Sequence, residues 1–406
     1  MLPEKIYDIA IIGGGIVGLA TAYKLQQKFN SLNIAVIEKE DKLAFHQTGH
    51  NSGVIHSGLY YKPGSYRAKN CVQGRKQIVA FAQQHGVKHD VCGKIVVATD
   101  ESEFPRLEKI RNNGNANGLK GVEIIGPERI KEIEPYIEGK KALWVPESGI
   151  IDFAGVTNKL AELIQGINPS SDILTSCELK SFERDDISSL NTNKGTIKAR
   201  HLIFCGGLHS DRLARKDKVS SDVRIVGFRG DYYDLTEQGM KKIRNLVYPV
   251  PNPEFPFLGV HFTRMTDGSV ECGPNAVFTF KREGYGKTDF DLRDTIEALT
   301  YKGTWKLFFK HWRFALDEYK RAFSKKLFLT QLQHMCPSLE MEDIKPGRSG
   351  VRATALGIDG DVYDDFKIEY GNKSIHVLNA PSPAATACLS IGDEVMALAE
   401  KHFGLS

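Results

Sequence analysis

A chain of 406 residues, 41% hydrophobic and 26% charged, is long enough for two domains with separate cores and has the make-up of an ordinary globular protein. A formal net charge of +4 without a long basic block argues against nucleic acid as a partner, and no stretch approaches the ~20 apolar residues of a spanning helix. Seven cysteines, an odd number with no C-x-x-C pair, point to reduced thiols rather than a disulfide framework. No metal site is expected, and a start reading MLPEKIYDIAIIGGG is not a signal peptide, so the expected location is cytoplasmic.

The apolar run Ile9–Ile12 predicts a short buried strand, and Gly13, Gly15 and Gly18 then make G-x-G-x-x-G. Helical spacing follows from Ile16 to Leu25, and a second strand, Asn33–Ile37, ends at Glu38, 20 positions after Gly18. Strand, glycines, helix and acid together form a dinucleotide-binding fingerprint. Gly13 permits the turn, Gly15 lets a pyrophosphate approach the backbone, and Gly18 lets the helix sit against the sheet. The helix N-terminus around Gly14, Ile16 and Val17 offers N–H groups and a partial positive charge to phosphate. Glu38, followed by Lys39, suits a ribose 2′-hydroxyl and would repel the 2′-phosphate of NADP.

Further along, Cys92–Thr99 (CGKIVVAT) predicts a strand of a second sheet, Phe104–Asn113 a helix, and Gly149–Phe153 an extended lead into a helix at Ala154–Ile164. Ile173–Phe182 and Ile197–Phe204 read as strands, the latter running into Cys205-Gly206 and back to the nucleotide unit. From Arg224 the pattern turns to antiparallel β, at Arg224–Leu235, Pro256–Thr263, Ser269–Gly273 and Ala276–Lys281. Asp289–Gln333 is almost wholly helical, and a strand at Ser374–Leu378 precedes a helix from Ala384. The expected architecture is an α/β Rossmann-like nucleotide domain (1–85, 146–220 and 340–406) interleaved with an α+β substrate domain on an antiparallel sheet (86–145 and 221–339).

Residues 46–61, HQTGHNSGVIHSGLYY, resemble the second motif of the D-amino-acid-oxidase-like flavoproteins, a loop that threads past the flavin. GFRGDYYDL (227–235), FPFLGVHFT (255–263), GPNAVFTFKREGY (273–285), GVRATALG (350–357) and NAPSPAATACLSIG (379–392) narrow the match. In order and content they resemble the L-2-hydroxyglutarate dehydrogenase/oxidase family. The resemblance implies FAD and oxidation of L-2-hydroxyglutarate to 2-oxoglutarate, with the C2 hydride passing to flavin N5 and the electrons to a quinone or oxygen. It also implies flavin contacts from Thr48, Asn51, Ser52 and Gly53, an adenine-side contact at Leu179, and close backbone approach at Cys205 and Gly206. Arg352 is expected near the flavin and the substrate carboxylate. Ser382 and Pro383 lead into a helix whose small residues, Ala384 and Ala385, would let its N-terminus approach the flavin. Some relatives carry a covalent flavin on a histidine of this loop, at a place comparable to His50, although most bind FAD without one.

Oxidising a 2-hydroxy acid requires a base for the hydroxyl proton, and histidine suits that task near neutral pH. His56 in the flavin loop and His261 on a predicted strand are the candidates. A dicarboxylate requires two cations, for which arginine forks fit best. Arg352 and Arg229 are the first choices, although Arg229 could instead pair with Asp231 or Asp234. Lys281 and Arg282 are weaker choices. Tyr60 and Tyr61 could donate to a carboxylate or simply pack. A glycine- or sarcosine-oxidase-like amine oxidase is the alternative, and with one carboxylate to bind it would require one clamp. Finally, Trp305, Phe308, Trp312, Leu316, Tyr319 and Phe323 recur at helical spacing among basic residues. That stripe suits either a helix packed on its own sheet or one resting on the inner face of a membrane.

Overall fold

The computed structural model describes residues 5–251 and 259–405, so the Pro256–Leu258 part of the expected strand lies outside the described residues. Ile6–Ile12 is a parallel strand between Ile34–Ile37 and Gly195–Phe204, with Ile12 opposite Ile37 on one side and Phe204 on the other. Covered on both faces, it is apolar without alternation after Asp8, as a buried parallel strand should be. These strands belong to an eight-stranded sheet that also contains Asp172–Leu174, Leu179–Glu183, Ser188–Thr192, Lys367–Gly371 and Ser374–Asn379. The helices Ile16–Lys28, Tyr66–His85, Phe153–Ile167 and Ala384–Phe403 contribute to its largest apolar core. Glycines let three of them approach closely. A Cβ on Gly392 would lie 2.8 Å from Ala20 O, and one on Gly74 would lie 2.5 Å from Ala387 Cα.

The expected strand Ile173–Phe182 is two strands. Ser176 adopts a left-handed conformation (φ 48°), which separates Asp172–Leu174, parallel to Ile34–Ile37, from Leu179–Glu183 in an antiparallel meander.

A second, nine-stranded sheet is antiparallel except where Leu246–Pro249 runs parallel to Lys94–Ala98. Its longest ladder joins Val223–Leu235 to Ile344–Gly357, from Val223 opposite Gly357 to Leu235 opposite Ile344. Ile344–Gly357, expected with the nucleotide domain that resumes at 340, is bonded along its length into this larger sheet. A small sheet of Val54–Ile55, His89–Asp90 and Gly149–Ile151 completes the set.

The helical stretch forms Leu292–Leu299, Lys302–Phe323 and Lys325–Gln333, with a break in helical geometry at His311 (φ −127°, ψ 26°). The expected aromatic stripe is split between two faces. Phe308 packs against the core containing Phe228 and Phe278, and Tyr319 donates to Phe278 O at 2.7 Å. Trp305, Trp312, Leu316 and Phe323 are exposed, joined by Phe309 at 74% exposure. No helix among the described residues is long and apolar enough to cross a membrane.

Candidate active site

The glycine turn is built for a ligand at its mouth. Gly13 has φ +119°, and a Cβ there would lie 2.3 Å from Cys205 O; a Cβ on Gly18 would lie 2.1 Å from Gly13 O. Turn, helix and the Cys205 backbone are therefore in direct contact. Gly15 differs, since an added Cβ would meet only Thr48 Oγ1, at 3.4 Å. Gly15 is the N-cap of Ile16–Lys28 without a side-chain cap, while Ile16 N–H donates to Thr48 Oγ1 at 3.1 Å. An open face over a helix N-terminus fits a pyrophosphate. Glu38 is buried, with its carboxylate accepting from Gly14 N–H (2.7 Å) and Glu40 N–H (2.9 Å), which holds it beside the turn. Cys177 N–H donates to Glu38 O, so the segment leading to Leu179 runs along the same edge.

The loop after this unit is held from several sides. Asn51 Oδ1 accepts from Gly53 N–H at 2.8 Å, and Asn51 Nδ2 donates to Gln47 O and Thr48 O. Ser52 lies between these anchors. His50 Nδ1 donates to Ser349 O at 2.7 Å, and its ring lies 4.3 Å from that of Tyr285. Thr386 ties the loop to the last helix, its Oγ1 accepting from His56 N–H and donating to Val54 O, each at 3.1 Å. At that helix start, Ser382 O accepts from Arg67 Nε at 2.6 Å, ahead of Pro383 and the small residues Ala384 and Ala385.

His56 and His261, 205 positions apart, come within electrostatic reach of one another. Burial holds both neutral. His56 is pushed down to about 3, helped by the nearby Lys94, Arg67 and His261 charges. His261 is pushed down to about 4, with Arg352 and Lys94 adding to the effect against a bond to Gly259. In that bond His261 Nδ1 lies 2.8 Å from Gly259 O. A carbonyl can only accept, so Nδ1 carries the proton and Nε2 is left with a lone pair. The His261 ring also stacks on Tyr248 at 3.9 Å.

Arg352, opposite Phe228 in the long ladder, has a guanidinium nitrogen 3.3 Å from Asn275 O. Its burial lowers its affinity for the proton. Sequence reasoning passed over one residue in this cluster. Lys94 is 1% exposed, and its ammonium lies 4.6 Å from the Tyr60 ring centroid and 4.7 Å from that of Tyr248. The available signal was a lysine opening an otherwise apolar strand. The hydroxyl of Tyr60 is buried without a hydrogen-bond partner.

Other candidates are already engaged. Arg229 is buried, and its Nε and Nη2 donate to the two oxygens of Asp231 at 2.8 and 3.3 Å while Nη1 donates to Gly286 O. The expected clamp role is corrected to an internal ion pair, since positions two apart share a strand face. Arg282 is likewise paired with Asp211 and Glu297, and Lys281 is only half-buried. Tyr61 lies under the Arg67 guanidinium at 4.6 Å. The Lys39 ammonium bonds Glu283 at 2.5 Å and Glu40 at 3.1 Å, so a contact from Lys39 to a nucleotide would have to come from its main chain. Glu40, His46 and Glu283 have ligand atoms within 4.8 Å of one another, and the same ammonium bridges the two carboxylates of this cluster.

Residues 8–398 match the family described as FAD dependent oxidoreductase. The chain is 45% identical to an L-2-hydroxyglutarate dehydrogenase of Indibacter alkaliphilus, over 98% of this chain and 100% of that one. It is 41% identical to the mitochondrial L-2-hydroxyglutarate dehydrogenase of Homo sapiens, over 98% of this chain and 90% of that one. Among solved structures, the FAD-bound L-alpha-glycerophosphate oxidase of Mycoplasma pneumoniae superposes with a TM-score of 0.80 at 24% identity, covering 98% of this chain and 95% of that one. Glycine oxidase from Geobacillus kaustophilus gives 0.73 at 16% identity, covering 97% and 95%. At those identities the likeness is one of fold.

Proposed function

The chain belongs to the FAD dependent oxidoreductase family, and from that premise we propose that it oxidises L-2-hydroxyglutarate to 2-oxoglutarate. The observation that carries the reading is the meeting of two neutral histidines with buried cations beside the flavin loop, in a chain 45% identical to a dehydrogenase of that name. When bound, FAD supplies the two-electron acceptor for the C2 hydride. Gly13, Gly14, Gly15, Ile16, Val17, Gly18 and Glu38 hold its ADP half, with Leu179, Cys205 and Gly206 alongside. Thr48, Asn51, Ser52, Gly53 and the Ser382–Ala385 turn hold the flavin side.

His56 N–H donates to Thr386 Oγ1, and His261 opens a strand of the larger sheet. One imidazole takes the hydroxyl proton while the other orients the oxygen. Arg352 binds a carboxylate of the substrate, and its burial strengthens that contact. An amine substrate with a single carboxylate, as in glycine oxidase, would leave a second buried cation without an anion. Purified protein offered a panel of 2-hydroxy acids and amino acids, with an artificial dye as acceptor, tests this reading. L-2-hydroxyglutarate should be oxidised fastest, and preference for glycine or sarcosine would overturn it.

For the electron acceptor we propose a membrane quinone. Trp305, Phe309, Trp312, Leu316 and Phe323 form an exposed aromatic and aliphatic band, with exposed Lys306, Lys310 and Arg313 beside it. Such a band suits the boundary between headgroups and acyl chains of an anionic bilayer. Vesicle flotation should show binding to anionic liposomes that Phe309→Ser with Trp312→Ser abolishes while dye-linked activity persists. Equal flotation of both proteins would refute the surface assignment.

A further inference from the structure

We infer that Lys94, with the hydroxyl of Tyr60, forms the subsite for the substrate carboxylate that Arg352 does not hold, and so selects dicarboxylates over monocarboxylates. The inference rests on the hydroxyglutarate reading above and adds the residues that read the far end of the substrate.

Placement comes first. Gly93 turns the chain at φ +79° against the face of Trp144, where a Cβ would lie 2.0 Å from the ring. Lys94 then opens the strand Lys94–Ala98, between Lys141–Val145 and Leu246–Pro249, with Leu246 opposite it. Its side chain is driven inward to the aromatic faces of Tyr60 and Tyr248. Tyr248 also stacks on His261, which puts the ammonium one ring away from a candidate base.

The energetics are incomplete without an anion. Other buried cations carry a carboxylate: Arg75 has Glu147, Arg229 has Asp231 and Arg282 has Asp211. Among the described residues, no carboxylate and no hydrogen-bond acceptor is paired with the Lys94 ammonium, and its three donors meet only ring faces. Two desolvated cation–π contacts offset only part of the cost of burying an ammonium. The Tyr60 ring that the ammonium meets carries a hydroxyl that is itself buried without a partner, a second donor on the same side chain. A cation and a neutral donor with nothing to bind match a carboxylate, which accepts at both oxygens. Two negative ends of a dicarboxylate then meet two cations, the half-buried Arg352 and the buried Lys94.

The surroundings of Lys94 support a pH signature. Burial pushes its ammonium down to about 7, which the neighbouring Cys71 opposes. The groups facing it are Tyr60 and Tyr248, both pushed up by burial, Cys71, pushed up to about 12, and His56 and His261, held near 3 and 4. Lys94 is thus the member of the cluster that titrates near neutrality. Its charged form binds the anion, so dicarboxylate binding should weaken as pH rises through about 7.

The test uses FAD-loaded protein. Lys94→Met keeps the length and removes the charge; Tyr60→Phe keeps the ring and removes the donor. Calorimetric titration with glutarate, a dicarboxylate without the reacting hydroxyl, should show Kd raised about 10- to 100-fold by Lys94→Met and less by Tyr60→Phe. The ratio of kcat/KM for L-2-hydroxyglutarate over L-2-hydroxyvalerate, the same chain length without the far carboxylate, should fall by a similar factor in Lys94→Met. The weakening of glutarate binding above pH 7 should also disappear. Equal losses on both substrates, with unchanged glutarate affinity, would overturn the inference and leave Lys94 a structural role. Wild-type protein that oxidises neither hydroxy acid would instead overturn the functional reading, so the two failures are distinguishable.

Discussion

Alanine at Gly15 and alanine at Gly18 should separate cofactor binding from folding, although the two stand three residues apart in one motif. At Gly15 the backbone is extended (φ −80°, ψ 173°), a conformation alanine adopts freely, and an added Cβ meets nothing closer than 3.4 Å. Alanine is a poorer N-cap than glycine but also restricts the unfolded chain, and these opposing effects are each about 0.5–1 kcal/mol. The apoprotein should therefore keep its stability within about 0.5 kcal/mol. At Gly18 the same methyl group would lie 2.1 Å from Gly13 O, in a turn already tied by Gly13 N–H to Ile37 O. Helix and strand must move apart, at a cost of about 1–3 kcal/mol or more. FAD should report the reverse emphasis. The Gly15→Ala methyl projects over the open helix N-terminus and should weaken FAD at least about 100-fold, equivalent to ~2.7 kcal/mol. Thermal unfolding of the two deflavinated proteins, followed by FAD titration through quenching of flavin fluorescence, measures both effects. If Gly15→Ala binds FAD like the wild type, or its apoprotein is destabilised as much as Gly18→Ala, the placement of the pyrophosphate is wrong.

Replacing the base should lower the anaerobic rate of flavin reduction by roughly 10²–10⁴ with little loss of FAD. His56→Ala and His261→Ala are the two trials, and near wild-type rates in both would send the proton elsewhere. The Glu283 carboxylate is buried, yet His209, Lys39 and His46 hold it down at about 2 from an ordinary 4.5. A depressed acid stabilises the fold above its unfolded value, so Glu283→Gln should cost up to roughly 3 kcal/mol at pH 7. That difference should narrow as pH falls from 4.5 toward 2, and a gap in Tm that widens on acidification would contradict the sign. FAD should be released into the supernatant when the protein is precipitated with acid, whereas flavin kept in the pellet would establish a covalent bond, with His50 the first residue to test.

The nucleotide unit was legible residue by residue because its determinants are local. A buried strand, three glycines, a helix and an acid fall within about 30 residues, and each is required by backbone geometry that the sequence states directly. The order of the later motifs was equally readable, and it carried the family. What the sequence left open was decided by contacts across the chain. Arg229 stood two residues from Asp231 and could have faced either a ligand or its neighbour; burial of both on one strand face settled the pair. Ile344–Gly357 lacked a clear strand pattern because its burial does not alternate, and its partner strand, Val223–Leu235, lies more than a hundred residues away in sequence. The aromatic helix read as one stripe, but packing divides it, with Phe308 and Tyr319 against the sheet and Trp305, Trp312, Leu316 and Phe323 exposed. Lys94 read as an unremarkable strand residue, since lysine is almost always solvated and composition cannot reveal the exception. Only the packing of Tyr60 and Tyr248 around its ammonium, beside one histidine from a loop and one from the larger sheet, gives that charge its place. Local sequence sets which backbone shapes are available, while the pairing of buried charges depends on which distant segments exclude water together.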